Sequence, residues 1–378
     1  MEFAWSDDEA AFRQELRDFL AAELPEHWFT LVPGEEPASQ FTFDFCAKLG
    51  KAGLLAPHWP REYGGRDASG WQFIVLGEEL WRAGEPRGAQ YMNVNWIGPA
   101  IMAAGTAEQK DYHLNRITAG DIIWCQGFSE PQAGTDLAAL AATAVGSNGE
   151  YTLNGVKIWT SYAQWAHYCF VLARTDPTST GTRGISIFMV PTGLDGFVIE
   201  PISTVLDIHV VHRLTFSDVK VDRSMLLGEE NNGWEIIRDA LAHERIGGPR
   251  YARSEMVLDQ LRERAQQNGQ WADRGVRAQF GKAQADIDAA RILAYQVIDD
   301  RVKGRPNGTI VNLARVAIVR AERGVAEVAF DLMGSDSLRL GSIGNSQFKT
   351  SMIAGLGGGS AEVQLNLISR ALLGSEGG

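Results

Sequence analysis

Cysteine is scarce in this sequence. Three occur in 378 residues, Cys46, Cys125 and Cys169, odd in number and far apart. That excludes a disulfide framework, and no two stand at the C-x-x-C spacing of a structural zinc site. Zinc-protease spacing is missing as well. His243 and Glu244 begin such a motif, but Gly247 stands where the second histidine belongs. Positive charge is in deficit, with 35 Lys and Arg against 47 Asp and Glu, a formal net charge of -12. Phosphate backbones and anionic membrane surfaces both select basic proteins, so the chain is expected to bind no nucleic acid and no membrane. No apolar run approaches the roughly 20 residues of a membrane-spanning helix. The acidic, amphipathic start MEFAWSDDEAAFRQELRDFL does not read as a signal peptide. A soluble, cytoplasmic protein is the expectation.

What is present is an ordinary globular composition, 45% apolar and 22% charged, in a chain long enough for two or three domains. Up to about residue 120 the pattern is helical. Ala11, Phe12, Leu16, Phe19 and Leu20 recur at helical spacing after an acidic first turn at Ser6, and FTFDFCAKLGKAGLL, SGWQFIVLGEELWRAG and GPAIMAAGTAEQKDYHLNRITAG continue it. From Asp121 short apolar runs take over: DIIWCQGF, LAALAATAVG, YTLNGVKIWT, HYCFVLARTD, GISIFMVP and LTFSDVKV. Turn signals at Asn148-Gly149, Asn154-Gly155 and Asp195-Gly196 separate them. After about residue 227 long amphipathic segments return, including one read as a single helical stretch over 233–267. The predicted fold is α+β: an N-terminal helical domain (1–120), a mostly antiparallel, barrel-like β-domain (121–227) and a C-terminal four-helix bundle (228–378). A Rossmann chain would alternate strand and helix instead.

Three stretches carry chemistry. GLGGGS (355–360) begins like a dinucleotide fingerprint, but Ser360 replaces the last glycine and no strand precedes it; no lysine follows to make a P-loop. CQGFSEPQAGTDLAAL (125–140) joins the first two strands, and Ser129, Gly134 and Thr135 offer hydroxyls and open backbone N–H groups suited to a flavin edge or a phosphate. KIWTS (157–161) ends a strand with an indole and two hydroxyls, which could wall a planar cofactor. Taken singly, these read rather as a tight turn and a core tryptophan with capping hydroxyls. Their meeting in one β-domain favours the cofactor.

Together the motifs resemble those of the acyl-CoA dehydrogenases, over nearly the whole chain. SEPQAGTD is similar to that family's flavin loop and KIWTS to its flavin-flanking strand; WPREYGG, GTAEQK and LLGEENNGW match further recurrent stretches in the right order. The resemblance implies FAD as cofactor and an acyl-CoA substrate, oxidised to the trans-2-enoyl-CoA. It implies that Gln126, Phe128 and Ser129 hold the isoalloxazine, that Gly134 and Thr135 lie near a flavin or CoA phosphate, that Trp159 covers the ring and that Ser161 meets its N5 edge. Ser360 is expected among the cofactor contacts, and an electron-transfer flavoprotein is the implied acceptor.

The same resemblance exposes departures. The loop that commonly delivers the catalytic glutamate carries Gly358 at that position; Glu362, four residues on, belongs to the final helix. A smaller branch of the family places the base on the first bundle helix, in a Glu-Arg pair. Here that place reads ALAHERIGG, making Glu244 the candidate base, with His243 and Asp239 as weaker candidates. Gly358 keeps its N–H and is expected to donate it to the thioester carbonyl. The stretch by which the family clamps FAD from a neighbouring subunit reads DLMGSDS, with Asp331 for the usual glutamine and Ser335 for a glycine. The expected assembly is therefore a homo- or hetero-oligomer, a dimer of dimers, in the manner of two-subunit steroid side-chain dehydrogenases. A half-site partner subunit, or an oxygen-using acyl-CoA oxidase or flavin monooxygenase, are the alternative readings.

Overall fold

The computed structural model of the chain describes residues 4–25, 28, 36–206, 210–244, 248–305, 308–357 and 359–374, with side chains 36–38 and 239–244 outside the description. In chain order its helices are α1 (Asp7–Glu23), α2 (Glu36–Lys51), α3 (Gly70–Arg82), α4 (Gln90–Met92), α5 (Gly98–Ala104), α6 (Ala107–Ala119), α7 (Gly233–Glu244), α8 (Tyr251–Gln267), α9 (Arg274–Val302), α10 (Gly308–Met333), α11 (Ile343–Ile353) and α12 (Ala361–Leu373). Between α6 and α7 lie β1 (Trp124–Gly127), β2 (Thr143–Ser147), β3 (Glu150–Ser161), β4 (Tyr168–Arg174), β5 (Ile185–Pro191), β6 (Phe197–Pro201), β7 (Val211–Asp222) and β8 (Leu226–Leu227). The α+β class and the order helices, sheet, helices are as expected.

The chain forms two compact units that interleave in sequence: Met1–Leu31, Ala68–Pro86 and Glu244–Gly378 make one, Val32–Asp67 and Arg87–His243 the other. The first is helical. Its core is the inward stripe of α8, α9 and α10, including Tyr251, Leu258, Leu261, Ile287, Ile318 and Val325. Helix starts are locally encoded: the Ser6 hydroxyl accepts from Glu9 N while Glu9 reaches back to Ser6 N, and Ser69 and Gln72 repeat the arrangement on α3. Glu78 of α3 is buried and accepts hydrogen bonds from Tyr251 Oη (2.8 Å), Tyr295 Oη (2.6 Å) and Arg13 (2.6 Å), which ties α1, α3, α8 and α9 together.

The second unit is built on the sheet, in the order β6-β7-β3-β2-β4-β5-β8, with β1 beside β4. Pairing is antiparallel except for β1 with β4 and β2 with β4. Leu153, Val171, Phe188, Leu214 and Phe216 fill its core. Three sequence expectations change. LAALAATAVG is a strand only from Thr143; upstream, Leu137–Ala139 form a 3-10 turn, the Arg174 guanidinium takes the carbonyls of Ala138 and Leu140, and Glu130 takes the amides of Ala141 and Ala142, which withdraws those groups from a ladder. The stretch 233–267 is two helices, α7 and α8, parted before Pro249 and Gly248, whose φ of +63° leaves the helical region. The strand β6 and the helix α11 were not anticipated.

Candidate active site

The loop after β1 and the end of β3 are bound to one another. Strand β3 pairs with β7 up to Lys157↔Leu214 and resumes at Thr160↔His212, so Ile158 and Trp159 together face one partner residue. This bulge releases backbone groups from the ladder, and the loop takes them up. Ile158 N donates to Ser129 O (2.9 Å), Thr160 Oγ1 donates to Gln126 O (3.2 Å), and Lys157 Nζ donates to Phe128 O (3.1 Å).

Trp159 is the residue left over. Its backbone is left-handed, φ +59°, a region that costs a bulky L-residue about 1–2 kcal/mol. Its side chain is 57% exposed, whereas Trp59 and Trp124 are buried. A tryptophan kept for packing would be inside; this one is held outward by strained backbone. The core-tryptophan alternative is therefore set aside. Strain of this kind concentrates at functional sites.

Around it the expected cofactor residues take distinct positions. Gln126 is half-buried, and its Oε1 accepts from Trp96 Nε1 (2.8 Å), a partner that no motif or spacing marks. Phe128 is buried against Phe170. Ser129 and Ser161 are half-buried, and Ser161 closes the strand opposite Val211. Gly134 and Thr135 lie on the exposed tip of the loop, and a Cβ added at Gly134 would meet nothing within 4 Å. That leaves an open backbone face which a phosphate or ring edge can approach.

Beneath the loop lies an ion pair that the sequence reading passed over. Lys157 Nζ and Glu130 Oε1 are 2.7 Å apart, with side chains 0% and 2% exposed. Glu130 also accepts from Ala141 N (2.7 Å), Ala142 N (2.9 Å) and Gln132 Nε2 (2.7 Å). Burial opposes ionisation of Glu130, but Lys157 and the two amides prevail and hold its carboxyl below the usual range. Burial pushes the Lys157 ammonium below its ordinary value, against the pull of Glu130. Gly127 leaves room beside it, since a Cβ there would stand 3.2 Å from Cys169 Sγ and 3.3 Å from Lys157 Cγ and would press on both. The available signal was parity: Lys157 falls on the inward-facing set of β3.

Strand β1 rests on an aromatic cluster. Trp124 stacks on Tyr168 at 4.8 Å between centroids, and His113 lies 4.9 Å from each. Burial, aided by Arg116, lowers the His113 pKa from 6.5 to about 4.

Of the remaining residues, Ser360 and Asp331 belong to the helical unit, while the segment bearing Asp239 and His243 belongs to the other. Ser360 is the N-cap of α12, its Oγ accepting from Val363 N at 3.3 Å, so its hydroxyl is already engaged. Gly359 has φ +90°, and a Cβ there would meet Gln364 Nε2 at 2.6 Å; Arg315 donates to Gly357 O at 2.6 Å. Gly358 itself lies outside the described residues. Glu244 closes α7 by its backbone, but its side chain, like those of His243 and Asp239, is also outside them. Asp331 accepts from Gln279 Nε2 of its own chain at 2.8 Å.

Three family profiles match the chain in succession: "Acyl-CoA dehydrogenase, N-terminal domain" over residues 6–121, "Acyl-CoA dehydrogenase, middle domain" over 125–219 and "Acyl-CoA dehydrogenase, C-terminal domain" over 231–373. The acyl-CoA dehydrogenase FadE26 of Mycobacterium tuberculosis is 31% identical, the match covering 99% of this chain and 98% of that protein. Among solved structures, the Tcur3481-Tcur3483 steroid ACAD superposes with a TM-score of 0.90 at 30% identity over 100% of both chains. The ChsE4-ChsE5 complex from Mycobacterium tuberculosis superposes with a TM-score of 0.88 at 29% identity, again over 100% of both.

Proposed function

The chain belongs to the acyl-CoA dehydrogenase family, and from that premise we propose that it is an FAD-dependent enzyme that converts an acyl-CoA to its trans-2-enoyl-CoA, with Glu244 as base. An oxidoreductase acting on acyl-CoA is what membership itself supports. The observation that carries the cofactor reading is Trp159, strained and held outward at the bulge beside an open glycine-bearing loop. Those residues fit a flavin. Gln126, Phe128 and Ser129 would hold the ring, Trp159 would cover it, Ser161 would meet its N5 edge, and Gly134 and Thr135 would face a phosphate. Ser360, already capping α12, would contribute by its backbone. Bound FAD supplies the acceptor for the substrate's β-hydride.

The protein's own groups do the rest. The Glu244 carboxylate removes the α-proton, and partial desolvation against the acyl chain raises its pKa toward the range where proton abstraction is efficient. The Gly358 amide donates to the thioester carbonyl and stabilises the enolate that develops there. The three profile matches support working domain limits near residues 120 and 227. One structural neighbour is a steroid ACAD, which points to bulky, ring-bearing acyl groups; an electron-transfer flavoprotein is the proposed acceptor.

A shared FAD site is the second reading, and one observation favours it. Asp331 stands where the family's clamping glutamine is expected, and Gln279 of its own chain engages it. Two solved relatives are described as pairs of differently named chains. On this reading the chain is one subunit of a heteromer whose partner completes the site.

Glu244→Gln, purified with FAD and mixed anaerobically with acyl-CoA, tests the base. Loss of flavin bleaching with substrate binding retained is the expected result, and bleaching at the parent rate overturns the assignment. The flavin-to-protein ratio of the chain expressed alone separates the two assemblies, because a full complement of FAD removes the need for a partner.

A further inference from the structure

We infer that Glu130 and Lys157 are positioning residues, whose buried ion pair clips the 128–142 loop to the bulge of β3 and so sets the orientation of Trp159. The inference rests on the flavin reading above only for what Trp159 faces; the clip is a property of this chain alone.

Burying a carboxylate and an ammonium together is a poor way to gain stability. Two apolar residues of the same volume commonly do as well or better. An ion pair with further hydrogen bonds offers direction instead. Lys157 Nζ donates to Glu130 and to Phe128 O, at the start of the loop. The Glu130 carboxylate accepts the amides of Ala141 and Ala142, at its end. Both ends of the loop are thus tied to one point on β3. Between them, Glu130 and Ala133 close a turn through paired backbone bonds of 2.9 and 3.0 Å. Gly134, Thr135 and Asp136 remain as the exposed tip.

The same point borders the strained tryptophan. Residues 157, 158 and 160 are each bonded to residues 126–130, so Trp159 has anchored neighbours on both sides. A bulky residue stays left-handed only where its surroundings over-determine it. Lys157 is the anchor immediately before the bulge, and its ammonium donates hydrogen bonds to Glu130 and Phe128 O. Without the charge pair the bulge is free to relax and the indole to turn.

The test uses Glu130→Gln, Lys157→Met and the two combined, each in the full chain. Either single change strands a buried charge or its partner and lowers Tm. The double variant removes both charges and is expected to recover most of the Tm. It is nonetheless expected to exchange the Ala141, Ala142 and Ile158 amide hydrogens at least about tenfold faster than the parent, and to bind FAD at least about tenfold more weakly. Parent-like exchange and FAD affinity in the double variant would reduce the pair to a structural role and overturn the inference. Should the double variant not fold, the parent decides: the clip requires those three amides to be protected together, and fast exchange at any of them refutes it. A parent chain that takes up no FAD removes the flavin reading, while the exchange measurement on that apo chain still judges the clip.

Discussion

Acidification is expected to weaken the base of the candidate site through His113. The imidazole is buried against Trp124 and Tyr168, its Nδ1 has no hydrogen-bond partner among the described residues, and Tyr112 and Arg116 are the polar neighbours on its own helix. Burial first, and Arg116 second, lower its pKa from 6.5 to about 4. As pH falls, the unfolded chain therefore binds this proton before the folded one. The contribution to stability is complete above pH 6.5 and is lost as pH drops toward 4. It amounts to roughly 3 kcal/mol across that whole window and about 2 kcal/mol between pH 7 and pH 5. His113→Phe keeps an aromatic ring in the cluster and removes the titration. Urea unfolding followed by near-UV circular dichroism at pH 7 and pH 5 measures the difference. The parent is expected to lose about 2 kcal/mol more than the variant between the two pH values. Equal losses in both proteins refute the assignment of a buried neutral imidazole.

Other perturbations have outcomes fixed by the same geometry. Trp159→Gly removes the left-handed strain, worth about 1–2 kcal/mol, and gives up only the buried minority of an indole that is 57% exposed. Its Tm should stay within a few degrees of the parent's by calorimetry while its FAD affinity falls; a large drop in Tm would show the residue to be packing. Glu78→Gln breaks the buried pair with Arg13 and weakens the bonds from Tyr251 and Tyr295, and should cost about 3–5 kcal/mol in chemical denaturation. Leu340 and Leu373 are 70% and 78% exposed on the helical unit. Changing both to Asp should lower the oligomeric state in light scattering at micromolar protein and leave the circular dichroism spectrum unchanged.

The sequence made the architecture legible because period and punctuation agree in most segments. Ser6, Ser69 and Thr106 each begin a helix as capping boxes, and Asn148-Gly149 and Asp195-Gly196 are turns before β3 and β6, whereas Asn154-Gly155, expected to separate strands, lies inside β3 at an irregularity of its pairing with β7. It failed where side chains outbid the ladder. Leu137–Ala142 has the composition of a strand, yet Arg174 and Glu130 claim its backbone. The loop and strand motifs, far apart in sequence, are hydrogen-bonded to one another in the structure. Trp159 was read as a wall without any means of knowing that its φ is positive, because a bulge is a property of register and appears only when β3 meets β7. Lys157 was overlooked for a related reason. A lysine on an inward-facing position has meaning only once its acid, 27 residues earlier, is known to lie beside it.

The glycine run raises the sharper question of what a loop does after losing its acid. A loop that swings a carboxylate into place needs side-chain freedom more than backbone rigidity. This one has the opposite character on both sides of Gly358. Gly357 O is bound by a buried arginine of α10, and Gly359 occupies a left-handed conformation in which any Cβ would run into Gln364. Ser360 then caps α12 and fixes where the helix begins. Backbone held at these points suits a fixed N–H donor, since such a donor acts without reorganising when charge develops on a carbonyl oxygen. Under the proposed mechanism, then, the two catalytic duties divide between unlike supports. The proposed oxyanion donor, Gly358, lies between Gly357, whose carbonyl Arg315 holds, and the left-handed Gly359. The base sits at the end of α7, on a helix whose last turn leads into Gly247-Gly248-Pro249. Under the same proposal, a glycine in place of the glutamate removes side-chain bulk from the loop, which accords with the proposed bulky acyl groups.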